Sequence, residues 1–171
     1  MNDENLDVSL LLNQLEVKLK SLTQERELKN PIMIGIHSGG VWIAEKLHQR
    51  LEIEEPLALL DISFYRDDFS QIGMHPQTKS SQIPLSLEGR DIILVDDVFY
   101  TGRTIRAALN EIFDFGRPNQ VVLAVLIERN GQQIPLKPDC AGIELTLPKG
   151  MRIKLTGPES LKVHIQSYNN P

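Results

Sequence analysis

The residues best suited to chemistry lie in one stretch, IILVDDVFYTGRTIRAAL, from Ile92 to Leu109. An apolar run leads into two adjacent carboxylates, Asp96 and Asp97. A Thr-Gly-Arg-Thr turn, Thr101 to Thr104, follows before a helix-like pattern begins. Gly102 permits a tight turn and a close backbone approach. The hydroxyls of Thr101 and Thr104, with the free N–H groups of a helix start, make an anion pocket whose natural guest is phosphate. Arg103 either adds charge there or faces solvent. Two carboxylates beside that anion would repel it, so Asp96 and Asp97 suit sugar hydroxyls, or a hard cation such as Mg²⁺ shared with other oxygen ligands. The combination describes a phosphorylated sugar. The alternative is that Asp-Asp ends a strand and Thr-Gly caps a helix.

Those residues need a strand that feeds them and a helix that follows. DIILVDD reads as the strand, and Thr104 to Phe115 as the helix, with Ile105, Ala108, Leu109 and Ile112 on one face. Earlier, Val8, Leu11, Leu12, Leu15, Leu19 and Leu22 recur at helical spacing and predict a helix over 6–28, ended by Asn30-Pro31. PIMIGI (31–36) is a strand, HSGG a turn and Val41 to Arg50 a helix. PLALLDISFY (56–65) is a second strand, and VVLAVLIE (121–128) is apolar almost throughout, as a strand covered on both faces is. ELTLPKGMRIKL adds a short strand or hairpin. Residues 66–87 lack periodicity, which in a compact domain suits a lid, a binding loop or a hairpin arm. Alternating strands and helices predict an α/β fold, a mostly parallel sheet flanked by helices.

The 171 residues, 41% of them hydrophobic, suffice for a single domain with its own core. The net charge of -5 argues against an overall basic nucleic-acid footprint, though not against a local patch. Cys140 is the only cysteine, so no internal disulfide and no zinc cluster is expected; the expected setting is the reducing cytoplasm. No run of about 18 apolar residues predicts a membrane span, and the acidic start MNDENLDVSLLLNQLEVKLK is unlike a signal peptide.

The strand, the acidic pair and the Thr-Gly-x-Thr turn resemble the signature of type I phosphoribosyltransferases. DISFYRDDFS and VDDVFYTGRTIRAALNEIFDFGRP are similar, more narrowly, to the PyrR family, pyrimidine-operon regulators with uracil phosphoribosyltransferase activity; the likeness runs from about Pro31 to Leu155. It implies the type I phosphoribosyltransferase fold over 1–171, with an N-terminal helix within 1–29, a flexible loop or hairpin arm over 66–87, and a small hood with C-terminal strands over 128–155. It also implies 5-phosphoribosyl 1-diphosphate (PRPP) and Mg²⁺ as partners, uracil as base, UMP and pyrophosphate as products, and a homodimer or higher homo-oligomer. By resemblance, Asp96 and Asp97 engage the ribose 2′- and 3′-hydroxyls and meet the metal only indirectly or through PRPP. Thr101, Gly102, Arg103 and Thr104 wrap the 5′-phosphate. His37, Ser38, Gly39 and Gly40 correspond to the pyrophosphate loop, where the family often has an unusual peptide. Arg66, Asp67 and Asp68 begin the loop that closes over the reacting centre, with Arg66 helping the departing charge. Tyr100 stands where purine-using relatives carry an acid, which points away from hypoxanthine and guanine.

The resemblance weakens at Glu128-Arg129-Asn130-Gly131-Gln132-Gln133-Ile134-Pro135, where the family has an acidic-Arg-Gly-His-Arg-Glu-Leu-Pro-like run near the base and the RNA surface. The His and the second Arg are absent. Glu128 and Arg129 remain as base-binding candidates with Tyr100; otherwise Glu128 pairs with a neighbour and Arg129 is a solvated strand-end residue. Arg129, Lys137, Lys149, Arg152 and Lys154, against Asp139 and Glu144, offer a modest basic face for a pyrimidine mRNA leader. Three rival readings stay open: a nucleotide-sensing RNA-binding regulator with little catalysis, a regulator acting through protein contacts, and a transferase for another base.

Overall fold

The computed structural model describes residues 5–62, 81–83 and 86–168. The elements are α1 (Val8–Glu25), β1 (Ile32–Ile36), α2 (Gly39–Arg50), β2 (Ala58–Leu60), β3 (Asp91–Phe99), α3 (Arg103–Asp114), β4 (Gln120–Arg129), β5 (Cys140–Leu145), β6 (Met151–Thr156) and β7 (Lys162–Ser167). The first five strands form one sheet in the order β2-β1-β3-β4-β5, every pair parallel, and β6 and β7 form an antiparallel hairpin.

Side chains alternate across the strands, so both faces need cover. Met33, Ile93, Val95, Val122, Ala124 and Leu126 pack under α1 and α2, and the hairpin adds Leu155 and Val163 to the same core. Ile32, Ile34, Ile92, Leu94, Leu123 and Val125 face α3 through Ile105, Ala108 and Ile112. Helices therefore cover both sides, as the strand-helix alternation predicts. The apolar stripe of α1 is buried throughout, and Asp7 caps the helix by accepting from the Ser9 and Leu10 N–H groups. The helix stops at Glu25, three residues short of the predicted end, and Glu27 just beyond has a left-handed φ of 52°.

The sheet order places the site. From β1 the chain steps out to β2, then returns past β1 to β3. Loops leaving the carboxyl ends of β1 and β3 therefore diverge and open a crevice, the usual ligand position in such sheets. At the opposite end, Asp91 accepts from the Lys29 N–H and the Asn119 side-chain amide, both at 2.7 Å. Burial raises the Asp91 carboxyl, but these hydrogen bonds outweigh it and hold its pKa below the ordinary value.

The C-terminal region differs from its sequence expectation. Where one strand or hairpin was expected, β5 extends the main sheet and β6 and β7 form a separate hairpin. β7 holds only Val163 and Ile165 as apolar residues, too weak a period to stand out. Cys140 begins β5; burial first, then nearby Asp139, pushes its thiol up to about 12, against the opposing pull of Lys18. Its thiolate fraction at pH 8 is accordingly negligible, and iodoacetamide is expected to label it at least about a hundredfold more slowly in the folded protein than in urea, read by mass spectrometry. Among the described residues no helix is long and apolar enough to cross a membrane.

Candidate active site

β3 continues two residues past the acidic pair, so Asp96 and Asp97 sit within the strand end rather than beyond it. Alternation turns them to opposite faces. Asp96 is 4% exposed and accepts the Asp97 N–H at 2.8 Å. Asp97 is more accessible, leans toward the start of α2, and accepts the Val98 N–H at 2.8 Å. The two carboxylates are thus inequivalent, with Asp96 buried beneath and Asp97 open to the crevice.

The glycines after β1 explain how the two loops meet. A Cβ on Gly39 would lie 2.2 Å from Asp97 Oδ2 and 2.7 Å from Cγ, so the Asp97 side chain rests directly on this backbone. A Cβ on Gly40 would lie 2.8 Å from the Val95 carbonyl oxygen and 3.0 Å from Asp96 Cα. SGG is therefore the seat of the acidic pair as well as a turn, a role that three residue types alone do not reveal. The His37–Ser38 peptide is cis. His37 N–H donates to the Leu60 carbonyl at 2.9 Å, tying this turn to β2.

Gly102, at φ 94°, heads α3, and neither it nor Ser38, the residue heading α2, caps its helix with a side chain. Thr101 Oγ1 accepts the Arg103 N–H at 3.3 Å, curling the turn. With Thr104 in the first turn, the loop offers backbone N–H groups and hydroxyls at a helix N-terminus, the arrangement that suits phosphate. The acidic pair and this turn thus leave the end of one strand, with the Ser38–Gly40 turn beside them.

The ends of β3 and β4 carry the base candidates, and the structure decides against a solvated Arg129. Arg129 is 5% exposed rather than solvated, and its guanidinium lies 4.1 Å from the Tyr100 ring centroid while donating to the Met151 carbonyl. It is therefore removed from any surface basic face. Glu128 stands in register with Glu144 on β5, a like charge. Burial first, then Glu144, raises the Glu128 pKa, opposed by Lys137. A carboxyl raised by folding favours the folded state at low pH and loses that contribution as pH climbs through the raised value. Glu128→Gln is thus expected to raise Tm at pH 7.5, with the gain gone below about pH 4, as thermal melts at both pH values would read. Tyr100 is half-exposed at the rim, between Arg129 and Gly131.

Arg66, Asp67 and Asp68 lie outside the described residues. Their flanks do not: Leu59 and Gln82 exchange both backbone hydrogen bonds, at 2.9 and 2.8 Å, and Ser81 Oγ accepts the Asp61 N–H at 3.0 Å. The chain therefore leaves β2 and returns at the same place, beside the crevice.

Among the described residues no group of three or more His, Cys, Asp or Glu side chains is arranged to cage a metal ion. Asp97, the more accessible of the acidic pair, is a carboxylate of the kind that Mg²⁺ arriving on a diphosphate would meet, directly or through water, because this ion usually takes one or two carboxylates plus substrate phosphates; Asp96 is buried behind it. The residues present fit such an ion.

Comparison with known proteins agrees with this geometry. A phosphoribosyl transferase domain model matches residues 7–149. A bifunctional protein PyrR from Nitrosococcus oceani is 51% identical over 169 residues, covering 98% of this chain and 95% of the relative. Another from Pseudomonas fluorescens is 46% identical, covering 91% and 93%. The chain belongs to the PyrR family of phosphoribosyltransferases. Solved phosphoribosyltransferase structures share the fold. A hypoxanthine-guanine phosphoribosyltransferase from Bacillus anthracis superposes with TM-score 0.65 at 13% identity, covering 85% of this chain and 86% of that one. A purine phosphoribosyltransferase from Pyrococcus horikoshii gives 0.60 at 21%, covering 80% and 86%. Such low identities speak to fold alone, and the PyrR relatives carry the finer assignment.

Proposed function

We propose that this chain transfers the phosphoribosyl group of PRPP to uracil, giving UMP and pyrophosphate. The observation that carries this reading is the seat of Asp97 on Gly39, which joins an acidic pair, a glycine turn and a Thr-Gly-Arg-Thr turn at the sheet's switch point. Thr101 to Thr104 hold the 5′-phosphate through N–H groups and hydroxyls. Asp97 accepts from the ribose hydroxyls, with Asp96 beneath it. Ser38, Gly39 and Gly40 take the diphosphate. Asp96 and Asp97 would meet a Mg²⁺ ion brought in with the diphosphate at most indirectly, and that ion would supply charge neutralisation and orientation of the leaving group.

Uracil N1 attacks the anomeric carbon as the bond to the diphosphate oxygen breaks, and the N1 proton is lost. Positive charge develops on the ribose, where the Asp97 carboxylate stabilises it. No covalent nucleophile is needed. Arg66 is assigned to the departing diphosphate, and Tyr100, Glu128 and Arg129 to the base side, with Arg129 acting through the Tyr100 ring. A base panel tests the specificity: UMP formed from uracil, with no nucleotide from hypoxanthine or guanine, supports it. Turnover confined to another base overturns it.

A second activity is favoured by the C-terminal hairpin. Arg152 and Lys154 on β6 and Lys162 and His164 on β7 are exposed, and the register sets Lys154 opposite His164. This face keeps Arg152 and Lys154 of the set read from the sequence and excludes Arg129, which is buried. We assign to it UMP-responsive binding of a pyrimidine mRNA leader, in a homodimer or higher oligomer. Filter binding at two salt concentrations, with and without UMP, reads it; no salt-dependent retention would refute it.

A further inference from the structure

We infer that Gln133 is a positioning residue for phosphate binding: it fixes Arg103, and the segment after β4 acts as a strap across the Thr101–Thr104 turn. The inference rests on the reading of that turn as the 5′-phosphate loop.

Each residue from Tyr100 to Arg103 meets the strap. A Cβ on Gly131 would lie 2.3 Å from Tyr100 Cε2, so the ring lies flush on that backbone. Gln133 N–H donates to the Thr101 carbonyl at 3.0 Å. A Cβ on Gly102 would lie 2.7 Å from Ile134 Cγ1, so the Ile134 side chain sits on the turn's glycine. Gln133 Oε1 accepts from both Nε and Nη2 of Arg103, each at 3.1 Å.

The strap is itself anchored. Asn130 exchanges hydrogen bonds with the Leu147 backbone, donating at 3.1 Å and accepting at 2.8 Å. The Gln132 side-chain amide donates to the carbonyls of Ile134, at 2.9 Å, and Leu136, closing the turn from within. The two glutamines thus do different work: Gln132 braces the strap and Gln133 reaches across to Arg103.

The chemistry of the acceptor matters. An arginine side chain has many rotamers, and an exposed one loses that freedom when it must hold an anion. An acceptor on one edge of the guanidinium fork fixes its plane in advance. The Gln133 acceptor is a neutral amide, so it orients the guanidinium without cancelling its charge. Phosphate affinity, rather than the chemical step, is the quantity such an arrangement raises.

The test uses Gln133→Leu, which keeps side-chain bulk and the backbone bond to Thr101 but removes the acceptor. KM for PRPP is expected to rise about five- to tenfold with kcat within about twofold. Kd for UMP should rise in parallel while Kd for uridine, which lacks the phosphate, is unchanged, and Tm should stay within a few degrees. In an Arg103→Ala background the same substitution should change KM by less than about twofold, because Gln133 acts through Arg103. An unchanged KM, equal weakening of UMP and uridine, or effects that multiply in the double variant would overturn the inference. Wild-type protein that fails to bind PRPP would instead remove the phosphate-loop reading, and this inference with it.

Discussion

Asp97→Asn is expected to lower kcat/KM for PRPP by about 10²- to 10³-fold while leaving the fold intact. In the proposed reaction the carboxylate faces the ribose as positive charge develops in the transition state. Removing one such preorganised electrostatic contact typically costs about 3–4 kcal/mol, which is two to three decades in rate. The amide keeps the size of the side chain, so its seat on Gly39 and its bond from the Val98 N–H survive. Steady-state kinetics with a thermal melt on the same preparation checks this. An equal fall in Tm and activity would return Asp97 to a merely structural strand end.

The second large effect separates the two glycines. Gly39→Ala puts a methyl group 2.2 Å from Asp97 Oδ2, and the nearest contacts are all atoms of that one side chain. The carboxylate can swing aside, so stability should fall little while activity falls nearly as far as in Asp97→Asn. Gly40→Ala meets the Val95 carbonyl and Asp96 Cα, which are backbone and cannot swing. There the start of α2 must lift from β3, at about 1–3 kcal/mol of stability, and activity is lost with it. Melts and initial rates on both variants give the contrast. Similar losses of stability in the two would mean that Asp97 is not held as the geometry indicates.

Legibility from sequence followed locality. The acidic pair and the Thr-Gly-Arg-Thr turn were readable because strand, carboxylates, glycine and helix start are contiguous in IILVDDVFYTGRTIRAAL. The helices on both faces followed from strand-helix alternation and the almost wholly apolar VVLAVLIE. The Gly39–Asp97 seat was not readable, because it joins residues far apart in sequence through sheet order. The strap over the phosphate turn was hidden for the same reason, and Gln133 showed only as a departure from a family pattern. The sequence left Arg129 between a base-site residue and a solvated strand end, and the second reading fails, since it is 5% exposed because Tyr100 and the start of β6 close over it. Arg66 was legible only through resemblance.

The most direct measurement is stoichiometry. Purified protein is given PRPP, Mg²⁺ and labelled uracil, and UMP and pyrophosphate are quantified together over time. The account predicts that both appear at equal rates, that neither forms without uracil, and that Asp97→Asn slows both by the same factor. PRPP bound by the protein but left intact in the presence of uracil would contradict it, leaving the switch-point crevice a sensor rather than an active site.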